Sequence, residues 1–206
     1  MKITYKLENG NKGTITKTKE EQRMRTLISE ITDYQNIVSI KIENGTERKD
    51  GTERIEYQAF TDLKKLKSVR IPNSITNIDE MAFRDCESLT DLLDIDGKKT
   101  YLYHLTKLKS IESLVFEGCT NLKKVNIPIN VKSIKNYAFR NCKKLEECNI
   151  GEGWNLEKIG DQAFLNCHKL KKLFLPNKLK SIGKWAFWEC YELKELNIPN
   201  SVNDLH

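Results

Sequence analysis

The chain has 206 residues, 38% of them hydrophobic, and a net charge of +6 from 35 basic against 29 acidic residues. That length suits one continuous domain burying roughly 70% of its unfolded surface if globular, and the interspersed signs of charge leave no basic stripe for nucleic acid. No apolar run approaches the roughly 18 residues of a membrane span, and Met1-Lys2-Ile3 leads into polar sequence rather than a signal-peptide core, so neither membrane insertion nor an export signal is expected.

Residues 1–18 alternate apolar and polar, with Ile3, Tyr5 and Leu7 on one face and Ile15 on the return after Asn9-Gly10-Asn11. A β-hairpin with a three-residue loop would pair Tyr5 with Ile15 and keep both on one face, whereas a two-residue Asn-Gly turn would put Ile15 on the wrong face. From Thr18, which could form a capping box with Glu21, the residues Met24, Leu27, Ile28, Ile31 and Tyr34 fall at helical spacing. The spacing predicts an amphipathic helix of about four turns whose apolar stripe covers the first rung of a solenoid. Residues 1–36 therefore read as an N-terminal cap.

Val38 to Ile42 copies the strand of a repeat, with Ile40 and Ile42 in its inward positions. The stretch Gly45-Thr46-Glu47-Arg48 recurs as Gly51-Thr52-Glu53-Arg54, so residues 43–54 read as a duplicated surface loop. From Ile55 one unit recurs six times, opened by Ile55, Ile78, Ile111, Ile134, Ile159 and Ile182 with a basic period of 23 residues. Each opener is followed by a small apolar residue and a phenylalanine, from Ala59-Phe60 to Ala186-Phe187. A cysteine column (Cys86, Cys119, Cys142, Cys167, Cys190) and a leucine column (Leu66 to Leu193) come next, both facing inward. Alternating pairs such as Val125/Ile127 then give each unit one short strand.

A period of this length carrying Leu-x-x-Leu-x-Leu marks a leucine-rich solenoid, whose units cannot bury their apolar sides alone and so stack. The expected fold is an α/β solenoid over residues 37–206, with about six repeats of 23 residues and short strands on the concave face. The passage Ile182-Gly183, Ala186-Phe187, Cys190, Leu193, Leu196, Ile198-Pro199 and Val202 resembles the BspA-like (Treponema pallidum-type) leucine-rich repeats. That resemblance, over residues 55–206, implies a surface or adhesion protein that binds proteins or host and cell-surface ligands. Location follows the same fork: secreted or at the cell surface if the chain is a fragment, cytoplasmic if it is complete.

The regular period breaks where Asp94 takes an inner strand position and about ten residues are inserted, over 95–107. A bulge could put Ile95 in the place of Asp94, because a buried unpaired carboxylate is costly. A binding protrusion and a drifting loop are both open readings of the insert. Gly151-Glu152-Gly153-Trp154 lengthens the fourth repeat and sets a tryptophan on a loop.

The cysteine ladder, with side chains parallel and about 5 Å apart, suits neither disulfides nor zinc, and all six cysteines read as small core residues. No phosphate loop, nucleophile elbow or His-Glu-x-x-His appears, so no catalytic residue, cofactor or metal is expected. Candidate binding residues are the outward strand positions Arg70, Asn126, Asn149, Phe174 and Asn197, with Lys124 and Lys172 from the neighbouring column. Exposed Trp185 and Trp188 near the C-terminal end join them. An asparagine ladder with solubilising charges is the bland alternative for the strand columns, and packing on a further repeat or a homodimer through an uncapped end is that for the tryptophans. The function expected is non-catalytic recognition of a protein. A carbohydrate or cell-surface binder using Trp154, Phe174, Trp185 and Trp188, favoured if those rings cluster, and a structural spacer are the rivals.

Overall fold

In the computed structural model, which describes residues 1–17, 23–47, 52–94, 96–151 and 153–206, the repeats stack as a solenoid. The repeats opened by Ile55 to Ile159 each contribute two short strands rather than the one expected, whereas in the repeat opened by Ile182 the strand expected at Leu196–Ile198 does not form. The front ladder joins Ile37–Asn44, Ser68–Arg70 and Asp91–Leu93, then resumes with Lys124–Asn126, Glu147–Asn149 and Lys172–Leu173. A second parallel ladder runs through the opener isoleucines, from Ser110–Ile111 through Ser133–Ile134, Lys158–Ile159 and Ser181–Ile182 to Asp204–Leu205. The return segments are turns, so among the described residues helix is confined to the N-terminal region and the architecture is a β-solenoid.

The core is one column per sequence column. Phe60, Phe83, Phe116, Phe139, Phe164 and Phe187 stack face to face with centroids 5.3 to 5.6 Å apart. Each ladder cysteine donates its thiol to the carbonyl of the phenylalanine one repeat earlier, as Cys142 Sγ does to Phe116 O at 3.2 Å. A cysteine thus fills a small apolar slot and adds a second hydrogen bond to a buried carbonyl that already accepts a backbone N–H, as Phe116 O does from Cys119 at 3.1 Å. All six thiols are free. Burial pushes the five enclosed ones well above the usual cysteine range and Cys190 only to about 11. Because the thiolate is the reactive species, a maleimide should label at most Cys190 in the native chain and all six cysteines after denaturation; rapid native labelling of several would contradict the ladder.

The turns between opener and cysteine use left-handed backbone twice per repeat. Asp62, Asp85, Gly118, Asn141, Asn166 and Glu189 occupy one such column, and Gln58, Met81, Leu114, Tyr137, Gln162 and Trp185 the other. These conformations aim N–H groups along the solenoid axis: Gln58, Phe60 and Asp62 donate to the carbonyls of Glu80, Ala82 and Arg84.

At the N-terminus, β1 (Lys2–Leu7) and β2 (Lys12–Thr16) form the expected hairpin, but shifted by two residues. Ile3, not Tyr5, stands opposite Ile15, and Tyr5 faces Gly13. The loop is Glu8-Asn9-Gly10, closed by Leu7 N–H to Asn11 O at 2.8 Å, because Gly10 supplies the left-handed residue (φ +92°) such a loop requires. The even shift preserves the faces. β1 also pairs antiparallel with β3 (Ile37–Asn44), so the hairpin extends the front ladder.

Helix α1 spans only Met24–Ser29, not four turns. Asp33, at φ 63°, turns the chain into a 3-10 segment at Tyr34–Asn36. Met24 and Ile28 are buried and Ile31 and Tyr34 pack on the core, so the apolar stripe survives without one continuous helix. The Thr18–Glu21 capping box, and Ile95 as a bulge, lie outside the described residues. Thr46–Glu47 pairs with Glu53–Arg54, so the base of the duplicated loop is a hairpin attached to Ile75–Ile78.

The insert is neither protrusion nor idle loop. Tyr101 donates its N–H to Leu92 O at 3.0 Å and accepts from Asn126 N–H at 2.7 Å, filling the gap between the two halves of the front ladder. Leu102 and Leu105 are fully buried and lead into Leu108, which holds the regular column three residues before the opener, so the insert is a partial rung of core. Asp94 is half-buried and accepts the N–H groups of Asp96 and Lys98, so its carboxylate is not left unpaired in the interior.

Candidate functional site: the strand face

Alternation along the front strands turns every second side chain away from the core. Arg70 lies outward in register with Lys41 and Leu93, its guanidinium beside Gly97 of the insert. Asn126 and Asn149 form an axial chain: Asn149 Nδ2 donates to Asn126 Oδ1 at 2.7 Å, and Asn126 Nδ2 to Thr100 O at 3.0 Å. Those two amides are thereby committed to the scaffold. In the neighbouring column Lys124 Nζ meets Glu147 Oε2 at 2.6 Å, and Glu147 stands in register with Lys172.

Phe174 is 47% exposed on this face and, with Lys172, Asn177, Glu195, Asn197 and Ile198, lines a shallow groove of about 470 Å³. Trp185 and Trp188 are about 60% exposed but belong to the turns of the last repeat, on a different side of the solenoid. Trp154 is partly buried rather than presented on a loop, and its ring lies 6.1 Å from Tyr103 of the insert. No ring contact among the described residues joins Trp154, Phe174, Trp185 and Trp188, so the clustering that would favour a sugar platform is not seen.

Positions missed by sequence reasoning flank the front ladder at its N-terminal end. In register across five strands run Lys12, Lys6, Ser39, Ser68 and Asp91, and beside them Thr14, Thr4, Lys41, Arg70 and Leu93. A groove of about 510 Å³ lies over them.

The polar groups nearest to chemistry are structural. His104 bonds Thr100 Oγ1 through Nδ1 at 2.5 Å and Ile71 O through Nε2 at 2.7 Å. A carbonyl can only accept, so Nε2 carries the proton and the ring pins the insert to the first full repeat. His168 stacks on Tyr191 while Cys167 points to Phe139 O, so these neighbours diverge. No group of metal-ligating side chains forms among the described residues, and no helix there is long and apolar enough to cross a membrane.

Stacked short strands with an outward, rigid row of side chains define a leucine-rich repeat solenoid. Six copies of the BspA type leucine rich repeat region match over residues 29–104 and 96–206, and the chain belongs to that family. Its members are generally non-catalytic binding proteins. A leucine-rich repeat protein from Bacteroides ovatus is 26% identical over 100% of this chain, with a TM-score of 0.61, and this chain spans 54% of that protein. The leucine rich repeat protein of T. pallidum shares the fold at 21% identity and a TM-score of 0.50, over 82% of this chain and 68% of its own. Among curated proteins no relative matches the chain.

Proposed function

We propose that this chain is a non-catalytic protein-binding module that recognises its partner on the strand face. Phe174 carries the reading. A phenylalanine held about half exposed just past the Lys172–Leu173 strand costs solubility unless it is covered, and a rigid aromatic anchor in a shallow groove is what a protein interface places at its centre. Lys172, Glu195 and Asn197 line the same groove and supply polar contacts around it, while Lys124 and Arg70 lie further along the face toward the N-terminal end. The strand face is held by two ladders and a stacked core, so little order has to be created on binding.

A photo-crosslinking amino acid at position 174 should capture one protein partner, while the same group at Lys135, on the turn side, should not. Phe174→Ala should weaken binding of that partner by about 2 kcal/mol, as truncation of a buried aromatic anchor does. Equal capture from both positions would sink the strand-face reading.

A further inference from the structure

We infer that the N-terminal end of the strand face is a docking site for an extended acidic segment of a protein partner, an inference that rests on the strand-face reading and names the chemistry of what binds there. Further along the front strands cations have acidic neighbours: Lys99 meets Asp91 and Lys124 meets Glu147, each at 2.6 Å, and Lys172 stands in register with Glu147. On the outward face of the hairpin and first rung they do not, although Lys2, Lys17 and Lys65 elsewhere in that region pair with Glu43, Glu56 and Glu8. Lys6 stands directly opposite Lys12, and Lys41 directly beside Arg70. Like charges at facing positions repel and destabilise a sheet. No carboxylate of a described residue pairs with any of these four cations.

Their arrangement is an oblique row. Lys12, Lys6, Lys41 and Arg70 sit one on each of four adjacent strands, all pointing to the same side, with Lys41 and Arg70 stepped two residues along the strands from Lys6 and Lys12. At about 4.8 Å per strand and a step of about 7 Å they cover about 16 Å, the reach of about five extended residues crossing the strands at a slant. Between them lie the hydroxyls of Ser39 and Ser68, able to donate to or accept from a peptide backbone. Gly97 keeps the space beside Arg70 open, since a Cβ there would come within 2.9 Å of the guanidinium. An acidic peptide fits this better than an acidic polysaccharide, because neither of the two outward rows holds an aromatic ring for a sugar to stack on, and the most exposed rings, Trp185, Trp188 and Tyr191, are at the opposite end of the solenoid.

The test uses a fluorescein-labelled decapeptide of alternating Glu and Gly, its uncharged Gln/Gly analogue, and a heparin oligosaccharide, each followed by anisotropy at low and physiological salt. The acidic peptide should bind, weaken as salt rises, and lose at least about tenfold in affinity with Lys41→Glu or Arg70→Glu. Lys135→Glu, on the turn side, should change it less than twofold. Lys6→Glu should raise the melting temperature, by replacing repulsion with Lys12 by attraction, while also weakening the peptide; a residue kept for folding alone would not separate those readouts. Failure of the acidic peptide to bind, or indifference to Lys41→Glu, overturns the inference, and heparin binding through the same residues in its place reassigns the patch to a polysaccharide. If instead the uncharged peptide binds, and is lost with Phe174→Ala but not Lys41→Glu, the strand-face function stands and the acidic-segment inference falls.

Discussion

Phe116→Ala is expected to lower the unfolding free energy by about 3–5 kcal/mol, the upper range for deleting a buried side chain. The ring is fully buried and stacked on both faces, 5.6 Å from Phe83 and 5.5 Å from Phe139, so its loss leaves a void that neither neighbour can close without breaking its other stack. Phe187→Ala deletes the same atoms from a ring that stacks on one side only and is partly exposed, and should cost about 1–2 kcal/mol. In a solenoid each repeat touches only its neighbours, so a void in the middle also weakens the coupling between halves. All three tryptophans, Trp154, Trp185 and Trp188, lie on the C-terminal side of the lesion. Urea unfolding followed by tryptophan fluorescence and by circular dichroism should therefore give coincident midpoints for the parent and separated ones for Phe116→Ala. A cost no larger than that of Phe187→Ala would show that the stack does not hold the rungs together.

The inward columns could be read from the sequence because burial selects residue type at every repeat: phenylalanine, cysteine and leucine recur at fixed spacing, and each column is a contact in space. The second ladder could not. Its strands are two residues long, too short to show alternation, and Ser110–Ile111 or Lys158–Ile159 look like any opener. One left-handed column is visible in retrospect, since Asp62, Asp85, Gly118, Asn141 and Asn166 are the types that tolerate positive φ. The other, holding Met81, Leu114 and Tyr137, is imposed by hydrogen bonds to the next repeat, such as Met81 N–H to Ser113 O, and leaves no mark on composition. In the insert, the spacing of three from Leu102 to Leu105, carried on by Leu108 beyond it, is the signal of a core-forming rung.

The candidate site divides in the same way. Strand parity sufficed to place Arg70, Asn126, Asn149 and Phe174 outward, whereas the cationic rows depend on register. Pairing Tyr5 with Ile15 would set Lys6 opposite Thr14, and only the loop closed by Gly10 sets Lys6 opposite Lys12. Register in a hairpin is fixed by loop geometry, which hydrophobic alternation constrains only to an even shift.

Glu56→Ala is expected to cost about 3–5 kcal/mol, the penalty for removing one partner of a buried ion pair. Its carboxylate holds three pieces of the N-terminal region at once: the ammonium of Lys17 after β2, the Met24 N–H at the start of α1 at 3.2 Å, and the Thr46 hydroxyl at 2.9 Å. The Lys17 side chain is only 5% exposed, so without Glu56 a positive charge is stranded against the first rung. Burial pushes the Glu56 carboxyl up, but hydrogen bonds from Lys17, Met24 and Thr46 together with the Lys17 charge outweigh it, and the group sits below its ordinary value of 4.5. A carboxyl depressed on folding contributes stability that is complete above 4.5 and is lost as pH falls through its folded value. Glu56→Gln keeps the shape and leaves the Lys17 charge unpaired, so it should be less stable than the parent at neutral pH and should lose less on acidification. Melting temperatures of both chains across that range, with amide exchange in β1 and β2, measure the effect. If Glu56→Ala leaves melting temperature and hairpin protection unchanged, the hairpin and helix are held to the solenoid by the β1–β3 ladder and their apolar contacts without it.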